Sequence, residues 1–337
     1  MTSRARWTWL VLITAVLLAM AIGYGAWSFV QYQKRQSAPA SVAVTAGIFD
    51  PSTPHVVFRN TASGAGYGHV ASVPLNNPQG PRTVTGAVCD RIYSAGGTNA
   101  CLRTNAGIVT TFEAAIYTAD WQQEREWPLP GIPSRTRVSP DGTLVASTAF
   151  VTGHAYAPAS FSTATVIAKT AGGDFGNLED FTLIVDGKPF APVDRNLWGV
   201  TFAPDDNTFY ATAASGADTW LVRGDLDKRT LTSILETAEC PSLSPDGTRI
   251  AYKKNAVPGP SPHWNIAILD LASNTETVLA ETRSVDDQIE WLDNQTLLYG
   301  MPRDGTVGDN DIWSTGVTAE SAPQLFLEHA WSPAVVR

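Results

Sequence analysis

A chain of 337 residues with 32 acidic against 23 basic side chains, net charge −9, repels a phosphate backbone, which argues against nucleic acid as a partner. Its 27 glycines and 22 prolines, without a long amphipathic helix, point to short strands between turns rather than to a helical bundle. Three cysteines are too few for a disulfide framework and form an odd set.

In chain order, residues 1–35 are a separate object. Trp9 to Val30 carries no charge, about the 20 apolar residues that cross a bilayer as helix. Trp7, Trp9, Trp27 and Tyr32 sit at its ends, where amphipathic rings favour the interface. One N-terminal span before a large domain acts as an export signal, so the remainder is read as extracytoplasmic and the span as an anchor. The alternative is a secreted protein released by signal cleavage near Ala38-Pro39-Ala40, although the apolar run exceeds the usual signal length. Beyond the four basic residues of this segment, 19 basic face 32 acidic side chains, a net charge of −13.

Residues 36–53 read as a linker and 54–337 as one repeat domain. The phrase Leu243-Ser244-Pro245-Asp246-Gly247-Thr248 echoes Val138-Ser139-Pro140-Asp141-Gly142-Thr143, and weaker copies lie at Phe202 to Tyr210 and Trp291 to Tyr299. Each copy reads as strand, tight turn, strand, since Pro presets φ and Gly accepts the positive φ that follows. A unit recurring about every 40–50 residues marks a propeller or solenoid. With that turn joining the first two strands of each blade, blade 1 runs from Val88 to Leu129, its turn at Cys89-Asp90-Arg91. Blade 2 runs from Arg135 to about Ile184, and blades 3, 4 and 5 start at Trp198, Cys240 and about Val285. The C-terminal Ala330 to Val336 supplies an inner strand without a blade, and His55–Asn60, Gly68–Val73 and Pro81–Val84 supply three strands without an inner one. Together they predict a sixth blade that closes the ring and removes the exposed edge. The predicted fold is all-β, a six-bladed β-propeller with seven blades as the alternative, after one transmembrane helix.

The motif Ser244-Pro245-Asp246-Gly247-Thr248-Arg249-Ile250-Ala251-Tyr252, followed by Leu269-Asp270-Leu271-Ala272, resembles the TolB-like, or WD40-like, propeller repeats. The resemblance covers most of the chain after residue 50 and is strongest in blades 2 and 4. It implies a propeller that serves as an adaptor in envelope complexes; similar repeats also cap the active site of prolyl-oligopeptidase-type enzymes.

Catalytic patterns are missing. No Gly-x-Ser-x-Gly elbow occurs, the five histidines are scattered, and there is neither His-Glu-x-x-His nor Cys-x-x-Cys. No catalytic residue, metal site or cofactor is therefore assigned. Asp205-Asp206 and Asp286-Asp287 could hold a hard cation, but turn aspartates bond their own backbone. Cys89 and Cys101, 12 apart on what read as neighbouring strands, predict a disulfide in an oxidising compartment; three unpaired thiols are the alternative. Long segments concentrate on one face, the loop face, which carries the connections between the second and third strands and between blades. Binding residues concentrate on such loops. Thr152 to Phe161 supplies His154, Tyr156 and Phe161, and counting back from the turns places Arg135, Asp287 and Glu328 at the channel mouth. The resulting expectation is an anchored module whose loop face binds an envelope protein, membrane protein or cell-surface component. The alternatives are a lactonase-type or sugar-oxidising enzyme using the axial channel and a purely structural scaffold.

Overall fold

The computed structural model describes residues 3–107, 109–151, 162–257 and 262–337. A helix, Ser3–Ser37, contains the stretch Trp7–Gln31, long and apolar enough to cross a membrane. The rest forms six sheets arranged as the blades of a propeller. The repeated phrase folds as its chemistry dictates. In blade 2 the Asp141 carboxylate accepts from Ser139 Oγ (2.5 Å), Thr143 N and Thr143 Oγ1 (both 3.0 Å). Asp246 repeats the arrangement with Ser244 and Thr248 in blade 4. Gly142 and Gly247 take φ of 81° and 71°, where a Cβ would be strained.

The ring closes as the two chain ends predict. Ala330–Val336 pairs antiparallel with His55–Asn60, with His55 opposite Val336 and Asn60 opposite Ala330. Val56, Phe58, Ala330 and Val335 of this blade pack with Leu298, Ile312 and Leu327 of blade 5. Inner strands have a neighbouring blade on each side, so Asn196–Phe202 is buried along nearly its whole length. Outer strands lack that cover, and Gln123–Pro128 is largely exposed.

Four details differ from the sequence expectation. The inner strand of blade 1 is Arg91–Ala95, and its turn is Gly96-Gly97 rather than Cys89-Asp90-Arg91. Both glycines have positive φ, the requirement of a two-residue hairpin. Cys89 therefore lies in the connection ahead of that strand, and Cys101 stands opposite Ile92, not opposite Cys89. The two cysteines are nonetheless bonded, Sγ–Sγ 2.04 Å and Cα–Cα 5.4 Å, which ties the connection to the second strand. Ile184 does not end blade 2: Thr182–Val185 pairs parallel with Thr230–Glu236 on the outside of blade 3. Phe181, edge-on to Phe209 at 6.4 Å, pins that crossing in the core between the two blades. Within the stretch read as linker, Val44–Ala46 adds a fifth, parallel strand to the closing blade, against Arg82–Val84.

Candidate functional site

The axial channel has two ends, and side chains from the inner strands finish them differently. At the loop end the strand starts supply charges. Arg91 Nη1 meets Asp287 Oδ1 at 3.0 Å, and Asp287 Oδ2 accepts from Gly300 N at 3.0 Å. Arg135 approaches Asp286 at 3.8 Å; Lys253 reaches Asp286 at 2.6 Å and Glu239 at 3.6 Å. Trp331 lies under the Arg91 guanidinium at 4.7 Å and Trp264 under the Lys253 ammonium at 4.1 Å. Burial and the nearby Arg135 bring Arg91 down to about 10, so it stays charged at neutral pH. Burial alone would raise the Asp286 carboxyl, but Lys253 and Arg135 hold it below the usual range. One layer deeper, the Gln288 amide donates to the carbonyls of Val200 and Pro241, both at 3.0 Å, across blades 3 and 4. The space left among Arg91, Arg135, Asp287, Gln288 and Ser332 is about 10 Å³, room for no more than about one water. This end is a plug.

The opposite end, where the Pro-Asp-Gly turns lie, holds a funnel of about 500 Å³, within the range of ligand sites. Its walls include Phe49, His55, Trp121, Phe202 and Leu243, and its rim includes Gly96, Gly97, Pro140, Pro204 and Pro245. The floor is polar. Arg137 Nη1 lies 3.3 Å from Glu290 Oε2, and Arg137 Nη2 donates to Ile289 O at 2.6 Å. Tyr93 lies under that guanidinium at 4.2 Å, and its hydroxyl is 3.4 Å from Glu290 Oε1. Burial pushes the Glu290 carboxyl up despite Arg137. On the wall, His55 stacks on Phe49 at 4.7 Å, and burial lowers its pKa.

Of the residues expected at the loop mouth, Arg135 and Asp287 are brought together there. Glu328 instead joins a second cluster, 3.4 Å from Arg303, which also pairs with Asp311 at 2.9 Å. Pro333 lies within the last strand, Ala330–Val336, rather than at its turn, so counting back from it overshoots the strand start, and Ser332 stands at the plug instead. His154, Tyr156 and Phe161 lie outside the described residues. Of the two carboxylate pairs, Asp205 accepts from Asn207 N and Thr208 N, and Asp286 and Asp287 hold the cations above, while Asp206 Oδ1 is buried without a hydrogen-bond partner. Among the described residues no group of three or more His, Cys, Asp or Glu side chains converges on a metal-sized site. Sequence reasoning missed Arg91, because the blade 1 turn was misplaced, and it missed the funnel. The Gly96-Gly97 pair was the available signal for the first.

At the level of sequence, neither a protein-family model nor a curated protein matches the chain. Among solved structures, TolB from Acinetobacter baumannii superposes with a TM-score of 0.58 at 14% identity, covering 84% of this chain and 66% of that one. Putative TolB from Agrobacterium tumefaciens gives 0.51 at 11% identity, over 83% and 91%. A chain from a nidogen–laminin complex gives 0.55 at 11% identity, over 84% and 98%. The fold is thus that of the TolB-like six-bladed propellers, and this chain spans just under two thirds of the Acinetobacter protein.

Proposed function

We propose that this chain is a membrane-anchored, extracytoplasmic binding module that captures a segment of an envelope or cell-surface protein in the funnel at the turn end of its channel. One observation carries the reading: the channel is plugged by ion pairs at one end and opens into about 500 Å³ at the other. Aromatic and aliphatic walls over a small polar floor suit a peptide segment, which brings apolar side chains and backbone hydrogen-bonding groups together. A hydrolytic reading needs a nucleophile with its base, or two carboxylates free to act. Glu290 is the only Asp or Glu side chain among the described residues lining the funnel, and Arg137 already engages it. The propellers of known structure with this fold include two TolB proteins and one from a two-protein complex, which supports a binding role.

Site-specific photo-crosslinking in the full-length, membrane-extracted protein tests the site. A crosslinker at Pro245 or Thr143 on the turn end should yield a discrete protein adduct, and one at Val193 on the loop face should not. Adducts formed only from the loop face would overturn the funnel and restore the loop segment containing His154, Tyr156 and Phe161 as the site.

A further inference from the structure

We propose that the loop face docks on the bilayer that the N-terminal helix crosses, with apolar loop tips entering between the headgroups. This inference rests on reading that helix as an anchor. The tether is the first ground. The apolar stretch ends at Gln31 and the helix continues to Ser37, so six residues at a helical rise carry the chain about 9 Å further. Two residues later the chain is already clipped to the propeller. Ser63 Oγ donates to Pro39 O at 3.2 Å, and Ser41 N approaches Ser63 O at 3.4 Å. A Cβ on Gly64 would lie 3.0 Å from Ala40 Cα, so the missing side chain lets the linker seat there. Ser63 and Gly64 belong to the connection between His55–Asn60 and His69–Pro74, on the loop face. Two extended residues add at most about 7 Å, so that face is held within about 16 Å of the hydrocarbon boundary.

The second ground is where the exposed apolar side chains lie. Val109, Val193 and Val307 are 75%, 78% and 88% exposed, each at a loop-face connection of a different part of the ring. Ile132, 55% exposed, pairs across strands with the partly exposed Phe150 on the same face. Among the described residues, none of the turns joining first and second strands carries an exposed large hydrophobic. Those turns present Asp141, Thr143, Asp246 and Thr248 instead. Single exposed apolar residues need no explanation. Outside the helix, exposed apolar side chains elsewhere, such as Ile48 beside the funnel and Ile234 and Val278 on outer strands, are less than half exposed. Val109, Val193, Val307 and Ile132, the most exposed, all lie on the one face that the tether holds beside a membrane, and partial burial in the headgroup layer accounts for that bias. Docked this way, the loop plug faces lipid and the funnel faces outward.

Depth-resolved fluorescence on the full-length protein in phosphatidylcholine vesicles tests the proposal. Labels are placed at Val193→Cys, at Val307→Cys, at Thr143→Cys on the turn face and at Val16→Cys in the helix; native Cys240 is buried and unreactive to the dye. Nitroxide-bearing lipid should quench the labels at 16, 193 and 307 and spare the label at 143. Quenching at 16 without quenching at 193 and 307, or equal quenching at 143 and 193, overturns docking and leaves the anchor intact. No quenching at 16 overturns the anchor reading and docking together. Replacing Val109, Val193 and Val307 by serine should lower the docked population, read from a label at Ile132→Cys, by roughly tenfold, since three methyl-rich tips no longer leave water.

Discussion

The two ends of the channel are made by the same inner strands and close in opposite ways. At the loop end, where connections are long, Arg91, Arg135 and Lys253 meet Asp286, Asp287 and Glu239 and fill the mouth. At the turn end, where first and second strands are joined by only two to five residues, the small Gly96 and Gly97 and the Pro-Asp-Gly turns leave an open funnel. Loop length is therefore a poor guide to where a propeller keeps its cavity. Short turns leave the axis uncovered, while long loops bring charged side chains that can cross it.

The largest effect should come from removing the element both ends share. Ser332 bonds Ile92 near the plug, while Val335 and Val336 line the funnel. Deleting Ala330 to Arg337 opens the ring and exposes strand edges. The product should lose its cooperative thermal transition and aggregate on gel filtration; a monodisperse, cooperatively melting product would deny the closure its stabilising role.

Next in size is the funnel floor. Arg137→Met leaves the buried Glu290 carboxylate without its partner, which should cost about 3–5 kcal/mol in denaturant unfolding. The double change Arg137→Met, Glu290→Leu should recover much of that loss, because no uncompensated charge remains. If the single and double variants are equally unstable, packing rather than charge pairing holds the floor.

The loop end has its own clip. Cys89→Ser releases a 12-residue separation closed by the bond to Cys101, worth about 3 kcal/mol by chain entropy. Unfolding measured with and without reductant should show that difference in the parent and none in the variant. Thiol counting on the denatured parent should find Cys240 alone.

The smallest effect separates the ends by pH. Burial depresses the pKa of His55 on the funnel wall, so the folded state excludes a proton that the unfolded state accepts. Its contribution to stability is complete above about pH 6.5 and is lost as pH falls through that value toward the lower folded pKa. The melting temperature should drop between pH 7 and pH 5, and His55→Gln should flatten the drop. An unchanged slope would mean that groups elsewhere dominate the titration.

Much of the architecture was legible in the sequence. The Pro-Asp-Gly-Thr turns are local chemistry: Asp141 and Asp246 bond residues two positions away, and glycine supplies the φ. The sixth blade was legible because each chain end lacked what the other offered. Blade 1 was misread because its turn uses Gly96-Gly97 and Cys89-Asp90-Arg91 only looked like the repeat. The disulfide was found through sequence proximity, although the register placed Ile92 opposite Cys101.

What the sequence alone determined was the order of most strands within a blade, where turn and partner strand lie within a few tens of residues, and the sixth blade, whose two incomplete ends complete one another. The tertiary structure alone decided what fills the axis. Arg91 of blade 1 meets Asp287 across 196 residues, and Arg137 of blade 2 meets Glu290 of blade 5. Such pairs depend on the strand twist and register of six blades at once. A one-residue shift in a strand turns its side chains to the other face, and no local pattern records that choice.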